Sequence, residues 1–418
     1  LDWRLIDPYG VRVAAASFSA GANTAPAPAL APFTVATTGD YWLLLDGADS
    51  NPASAELSYQ FALNVVPDLE RALSIGDLVT DQVAVAGQTT VYRFELANET
   101  HLAFDAQSNR ADLLWSLSGP RGKEVTDRRF DHSDGTAGFS GLTLPAGSYR
   151  LSVRGAASAT GAFAFRLLDL AAAPELSLGA AVSGSLSPGN GTAAYRFAVA
   201  AGDQVALQNN AGSASNSADP SWRLIDRFGR QVSGATALPA PGAAPGIVSL
   251  STGGAYTLLI EGSAGALTPT TYDLQLNAAG HLTPAGLPAG EVLSIGSLVA
   301  GLLPTAGSTH TYRFTLASDS QLVFDTQGGA SSAVWSLLGP RGSEVDRRTL
   351  FSSDAAAQNP TLTLSAGDYA LTVEGAAPAG SVSGHGAYAF RLLDAASFPE
   401  IGLGQLLTTT RSPAASTI

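Results

Sequence analysis

WSLSGPRG at residues 115–122 returns as WSLLGPRG at residues 335–342, and WRLIDPYG at residues 3–10 returns as WRLIDRFG at residues 222–229. The separations are 220 and 219 residues, while successive Trp markers at 3, 115, 222 and 335 lie 112, 107 and 113 residues apart. Two related modules of about 110 residues therefore alternate, in the order B-A-B-A. Other phrases recur in step: YRFEL from Tyr92, YRFAV from Tyr195 and YRFTL from Tyr312, then GDYWLLLDG, GSYRLSVRG, GAYTLLIEG and GDYALTVEG from Gly39, Gly147, Gly254 and Gly367. Within them apolar residues alternate, Tyr92, Phe94 and Leu96 against Arg93 and Glu95, which is the pattern of a strand with one buried face. Roughly six to nine such strands per module, separated by Gly, Pro, Asn, Asp and Ser, predict an all-β chain of tandem, jelly-roll-like β-sandwiches.

The repeat also sets boundaries: an incomplete B module over residues 1–66, an A module over 69–170, a B module over 174–278 and an A module over 289–395, here named B1, A1, B2 and A2. PEIGLGQLL from Pro399 matches PELSLGAAV from Pro174, so residues 399–418 are expected to supply the opening strand of a further B module. Incomplete sandwiches expose strand edges, which predicts head-to-tail pairing of the tail with an incomplete B module if the chain is a processed subunit. Short Pro-containing joints such as Ala171 to Pro174 favour semi-rigid linkage.

Composition agrees with many small cores. With 45 Gly and 23 Pro among 418 residues, long helices are excluded, and helical periodicity is nowhere sustained. There is no Cys, so disulfides, thiolate metal sites and a cysteine nucleophile are unavailable. There is no Met either, from which an internal stretch of a longer protein is expected. The net charge of −13 is spread thinly, which argues against nucleic acid as a partner. No apolar run approaches the ~20 residues that a membrane-spanning helix requires.

The plan of an opening LxxG strand (LSIGDLV from Leu73, LSLGAAV from Leu176, LSIGSLV from Leu293), a YRF strand, a W-x-L strand into a Gly-ended turn, then G-x-Y-x-L-x-V and a closing aromatic strand resembles the bacterial pre-peptidase C-terminal domain over nearly the whole chain. That resemblance implies a small β-sandwich, appended to secreted proteases or repeated in large surface proteins.

Catalytic machinery built into a repeat should recur with it. The five histidines do not, His101 and His310 merely flanking comparable strands, and no G-x-S-x-G elbow exists, so no catalytic residue is assigned. Calcium is the one cofactor left open: Asp127, Asp131 and Asp134, with His132 beside them, form an oxygen-rich loop in A1. Its A2 counterpart is read as keeping Asp346 and Asp354 but not the residues between them. A second constellation, Asp46, Asp49 and Asn51, becomes Glu261, Ser263 and Ala264 in B2. The four marker Trp residues stand two before a Leu and are expected in cores, not in a sugar-stacking row. Trp42 is different, alternating with Tyr41, Leu43 and Leu45, and is the one candidate binding residue. Gly119–Gly122 and Gly339–Gly342 read as turns, in which Arg121 and Arg341 can pair with Glu124 and Glu344.

The function expected is that of a structural or adhesive repeat segment of an extracellular or cell-surface bacterial protein, acting as spacer, fibre-building or attachment modules, with neighbouring modules or further copies as partners. The alternative is an accessory array of a secreted hydrolase or peptidase that binds surface glycan or matrix.

Overall fold

The computed structural model describes residues 2–17, 35–47, 68–133, 141–210, 220–283, 286–328, 333–350, 361–375 and 386–404, with isolated positions between them. It is nearly all β, arranged as separate, mostly antiparallel sheets that in A1, B2 and A2 pair into sandwiches. Two compact units are formed, one of residues 1–199, 205–248 and 255–279, the other of residues 280–418 with 200–204 and 249–254.

In the first unit, A1 has a five-stranded sheet in the order Leu69–Ala72, Thr89–Leu96, Gly147–Gly155, Leu113–Gly119, Gly122–Arg129. Facing it is a four-stranded sheet in the order Leu142–Leu144, Thr100–Ala106, Gly161–Asp169, Val79–Val83. B2 pairs Ala181–Leu186, Thr270–His281, Asp203–Asn209 and Ile247–Ser249 in one sheet, and Thr192–Val199, Gly254–Glu261, Ser221–Asp226 and Thr236–Ala237 in the other. Of B1, a three-stranded sheet is described, with Asp2–Ile6 between Arg12–Ser17 and Trp42–Asp46. In the second unit A2 repeats A1, from Glu291–Val292 through to Gly386–Asp394.

The marker Trp residues are buried in all four modules. Trp115 lies flat on Phe104 at 4.0 Å, and its indole N–H donates to Ser133 Oγ at 2.7 Å; Trp335 does the same with Phe324 and Ser353 at the same distances. Apolar stacking and a satisfied indole donor together account for a fully buried Trp.

The motif that made the repeat legible is an interlock. Gly147 has φ +143, a value that L side chains rarely adopt, and Pro120 packs where its Cβ would be; Gly367 and Pro340 repeat this, as do Gly39 and Pro8. Glycine at 119 and 339 lets the Tyr149 and Tyr369 rings lie against the backbone. Each Tyr hydroxyl then donates to a carbonyl four residues upstream, Tyr149 to Pro145, Tyr369 to Ser365 and Tyr41 to Thr37.

Two expectations are corrected. LSIGDLV is not a strand: residues 73–78 form a turn between Leu69–Ala72, which runs parallel to the YRF strand, and Val79–Val83, which crosses to the other sheet. Leu73 of this turn plugs the core and the partly buried Ile75 packs against it, while Leu78 is exposed. Residues 399–404 form no strand, as the matching residues 174–179 of B2 form none, and Ile401 and Leu403 are exposed; the residues that match the first B2 strand, 406–411, lie mostly outside the described residues. In B2 the equivalent Leu176 is buried, and beside it Glu175 bridges Arg196. His101 and His310 lie in non-equivalent strands of opposite sheets, His101 bonded to Thr143 and His310 to Tyr388.

Candidate functional site

Of the calcium candidates, Asp127 and Asp131 are described and are engaged by arginines, while Asp134, Asp49 and Asn51 lie outside the described residues. Asp127 sits at a bulge in the strand beside the Trp strand, with φ +45. Its N–H donates to Ser116 Oγ at 2.8 Å, and Arg154 from the next strand over reaches its carboxylate at 2.9 Å. In A2 the same bulge is occupied by Arg347, φ +43, whose N–H bonds Ser336 Oγ and whose guanidinium pairs with Glu374. The equivalent of Asp127 is therefore Arg347, not Asp346, and the two modules carry one ion pair in opposite polarity. Asp131 is shared by Arg129 and His132, and Asp46 faces Arg4 at 2.9 Å. Among the described residues no three carboxylate or imidazole groups converge as a metal set would require.

The reversed pair gives a direct expectation. Arg154→Glu in A1 sets two carboxylates against each other at an exposed site and should cost about 0.2–1 kcal/mol. Adding Asp127→Arg should recover the loss, since A2 already uses that combination; thermal melts of the single and double variants read it.

Electrostatics elsewhere in A1 respond to acid. Burial works to raise the Asp81 carboxyl, yet the Tyr92 hydroxyl, the Gln82 N–H and Arg71 hold it below its ordinary value. Arg154 holds Asp127 down in the same way, against a smaller opposing effect of burial. A carboxylate depressed in the folded state adds stability that is complete above the unfolded value and lost as pH falls through the folded one. A1 should therefore weaken as pH drops below about 3.8, the ordinary value for Asp81. Asp81→Asn should flatten that decline when unfolding is followed against pH.

The most developed polar constellation joins A1 to B2. Arg223, on the Trp strand of B2, is 1% exposed and grips Glu261 on the neighbouring strand by two bonds, Nε to Oε2 at 2.9 Å and Nη2 to Oε1 at 2.7 Å. Gln231 Oε1 accepts a further bond from Arg223 at 3.1 Å. A1 closes over this pair: the Gly135 N–H donates to Glu261 Oε1 at 3.3 Å, and a Cβ at Gly135 would stand 2.5 Å from Arg223 Nε. Beside it Ile225 and Leu259 of B2 pack on Ala103 and Leu170 of A1.

On the A1 side the centre is Asp105, fully buried, which accepts from Arg166 Nε at 2.9 Å and Gln107 Nε2 at 2.8 Å. Burial pushes its carboxyl above the ordinary value despite Arg166. The same guanidinium donates across the seam to the Thr192 carbonyl at 3.1 Å. The joint itself is ordered: Leu170–Ala172 make one 3₁₀ turn, capped by Asp169, whose Oδ1 accepts from Ala171 N. Along this joint runs a cleft of about 500 Å³ lined by Arg166, Asp169, Ser185, Tyr195, the apolar Ile75, Leu168 and Leu186, and smaller residues.

Sequence reasoning missed this seam. Its signals were present: Asp-x-Gln at 105–107 and 325–327, the Arg of FRLLD at 166 and 391, and the pairing of Arg4 with Asp46 and of Arg223 with Glu261 at matching repeat positions. Trp42, the candidate binding residue, is 54% exposed on the strand paired with Asp2–Ile6.

No protein-family model matches the chain, and no curated protein does. Among solved structures, the CUB1-EGF-CUB2 domain of human MASP-1/3 aligns with 50% of this chain and 99% of its own, at 9% identity and a TM-score of 0.16. The equivalent domains of rat MASP-1 align with 52% and 99%, at 10% identity and 0.17. A complex of the plant peptide RALF23 with FER and LLG2 aligns over 76% and 88%, at 10% identity and 0.15. Superpositions this poor carry no functional argument. Among the described residues no helix is long and apolar enough to cross a membrane.

Proposed function

We propose that the chain is a structural and adhesive repeat segment of a long extracellular bacterial protein, akin to the pre-peptidase C-terminal sandwiches, in which modules act as spacers and take no part in catalysis. The observation that carries this reading is the A1–B2 seam, where a buried Arg–Glu pair, an apolar patch and a capped 3₁₀ joint hold two sandwiches together in one compact unit. Motifs that recur with the repeat serve packing: the Gly–Pro–Tyr interlock, the Trp–Ser bond and the buried Asp–Arg pair. A spacer gains from such joints, because resistance to bending and pulling grows when neighbours unfold together.

Single-molecule pulling of the chain tests it. A1 and B2 are expected to give way in one cooperative event; two independent events would remove the argument. Retention of the chain on immobilised glycans or matrix proteins would instead move its function to ligand binding.

A further inference from the structure

The face of B1 that carries Trp42 has a twin in B2 whose partner is visible. Aligning WRLID at residues 3–7 with residues 222–226, and YWLLLD at 41–46 with YTLLIE at 256–261, sets Arg4, Ile6, Trp42, Leu44 and Asp46 on Arg223, Ile225, Thr257, Leu259 and Glu261. The strands pair in identical register: Arg4 opposes Leu44 and Ile6 opposes Trp42, as Arg223 opposes Leu259 and Ile225 opposes Thr257. In B2 all five residues are buried, and A1 lies against this face through Gly135, Ala103 and Leu170. In B1 the same face is open. Trp42 and Leu44 are 54% and 45% exposed, and the Arg4–Asp46 pair stands in solvent.

A single exposed Trp calls for no explanation. A Trp and a Leu flanking a charge pair, on a face whose twin is an interface, have the composition of an unoccupied binding surface. We propose that this face of B1 docks an A-type module, and that the module is A2 of a second copy of this chain.

A2 keeps the polar groups behind the docking face of A1 but differs at its three contacts with B2, where Val323, Ala355 and Ala395 stand for Ala103, Gly135 and Leu170, while on the B1 side Asp46 is one carbon shorter than Glu261. Asp325 and Arg391 stand for Asp105 and Arg166, and Leu393 for Leu168. Asp394 caps the same 3₁₀ turn, its Oδ1 accepting from Ala396 N. Size selects A2 over A1 as the partner. In the A1–B2 seam Thr257 sits against Leu170, its hydroxyl donating to the Leu170 carbonyl. In B1 the small Thr257 is replaced by Trp42, and in A2 the large Leu170 is replaced by Ala395. At this one contact, bulk removed from the A side is returned on the B side, which conserves volume there. A1 would also have to release B2 before it could accept B1.

Sedimentation velocity of the full chain over a wide concentration range tests this, with Trp42→Asp and Ala395→Trp as variants. Both positions are at least partly exposed, and circular dichroism with an unchanged Tm verifies the fold. The wild type is expected to associate as concentration rises, and each variant alone to remain monomeric. Mixed together, the variants should form a one-to-one complex, because Trp42→Asp retains a good A2 face and Ala395→Trp a good B1 face. A wild type that stays monomeric throughout, variants that associate like it, or a mixture that gives no heterodimer would each overturn the proposal. Pulling of A1 and B2 reads the spacer function separately, so failure of one does not imply failure of the other.

Discussion

Glu261→Gln is expected to destabilise B2 by about 3–5 kcal/mol, among the largest losses available from a single polar substitution in this chain. The charge on Arg223 cannot follow its partner, because guanidinium does not deprotonate and the side chain is almost wholly out of water. The Gln amide would set an N–H against one of the guanidinium donors and remove the carboxylate charge that faces the buried cation. Replacing both members with apolar residues of similar volume, Arg223→Met with Glu261→Leu, should return most of the loss, since the desolvation cost of the pair then disappears. A third variant separates the seam from the module. Gly135→Ala leaves the pair chemically intact but drives a methyl toward Arg223 Nε and Glu261 Oε2, at 2.5 and 2.6 Å. It should loosen A1 from B2 while B2 alone keeps its stability. Hydrogen exchange resolved along the sequence distinguishes these outcomes, with strands of A2 as the internal reference.

The strands were legible because one-sided burial writes period two into the chain, and the marker Trp residues because a W-x-L pair on one face can only be core. The seam was not, for a physical reason. Period two places Arg223 and Ile225 on the face away from the B2 core, and that placement is right; the residues are nevertheless buried, because a second module takes the position of solvent. A strand buried on both faces by different modules looks, residue by residue, like a strand half exposed. The information lay between repeats rather than within them, in charges that recur in pairs on adjacent strands.

The same distinction explains the calcium candidates. Asp127 and Asp131 are close in sequence and so suggest a loop of oxygen donors. Asp127 looks instead to Arg154, which is 27 residues away along the chain but across the sheet from it. The turn at LSIGDLV imitates a strand because its buried Leu73 and half-buried Ile75 carry an apolar signal without one.

Trp335→Ala and Trp115→Ala are expected to cost about 3–5 kcal/mol each within their own modules, as large aromatic truncations in a close-packed core do. The two sites are matched controls. Each indole lies on a Phe ring at 4.0 Å, and each N–H donates at 2.7 Å to a serine, Ser133 or Ser353. That serine in turn donates to a backbone carbonyl four residues upstream, of Arg129 or Thr349. Local losses should therefore agree. The reach of the damage should differ, because Ser133 stands two residues before Gly135, which donates to Glu261 in B2. Removing Trp115 frees the chain that carries Gly135, so the disturbance should spread into the seam and raise exchange along Ser221–Asp226 and Gly254–Glu261. A Trp115→Phe variant keeps the stacking and forfeits the hydrogen bond, and should cost an intermediate amount, about 1–3 kcal/mol. Denaturant titrations read the module losses and exchange reads their spread. If Trp115→Ala left the B2 strands as protected as Trp335→Ala does, the coupling of the two sandwiches through Gly135 would have to be abandoned, and with it the mechanical unity on which the spacer reading stands.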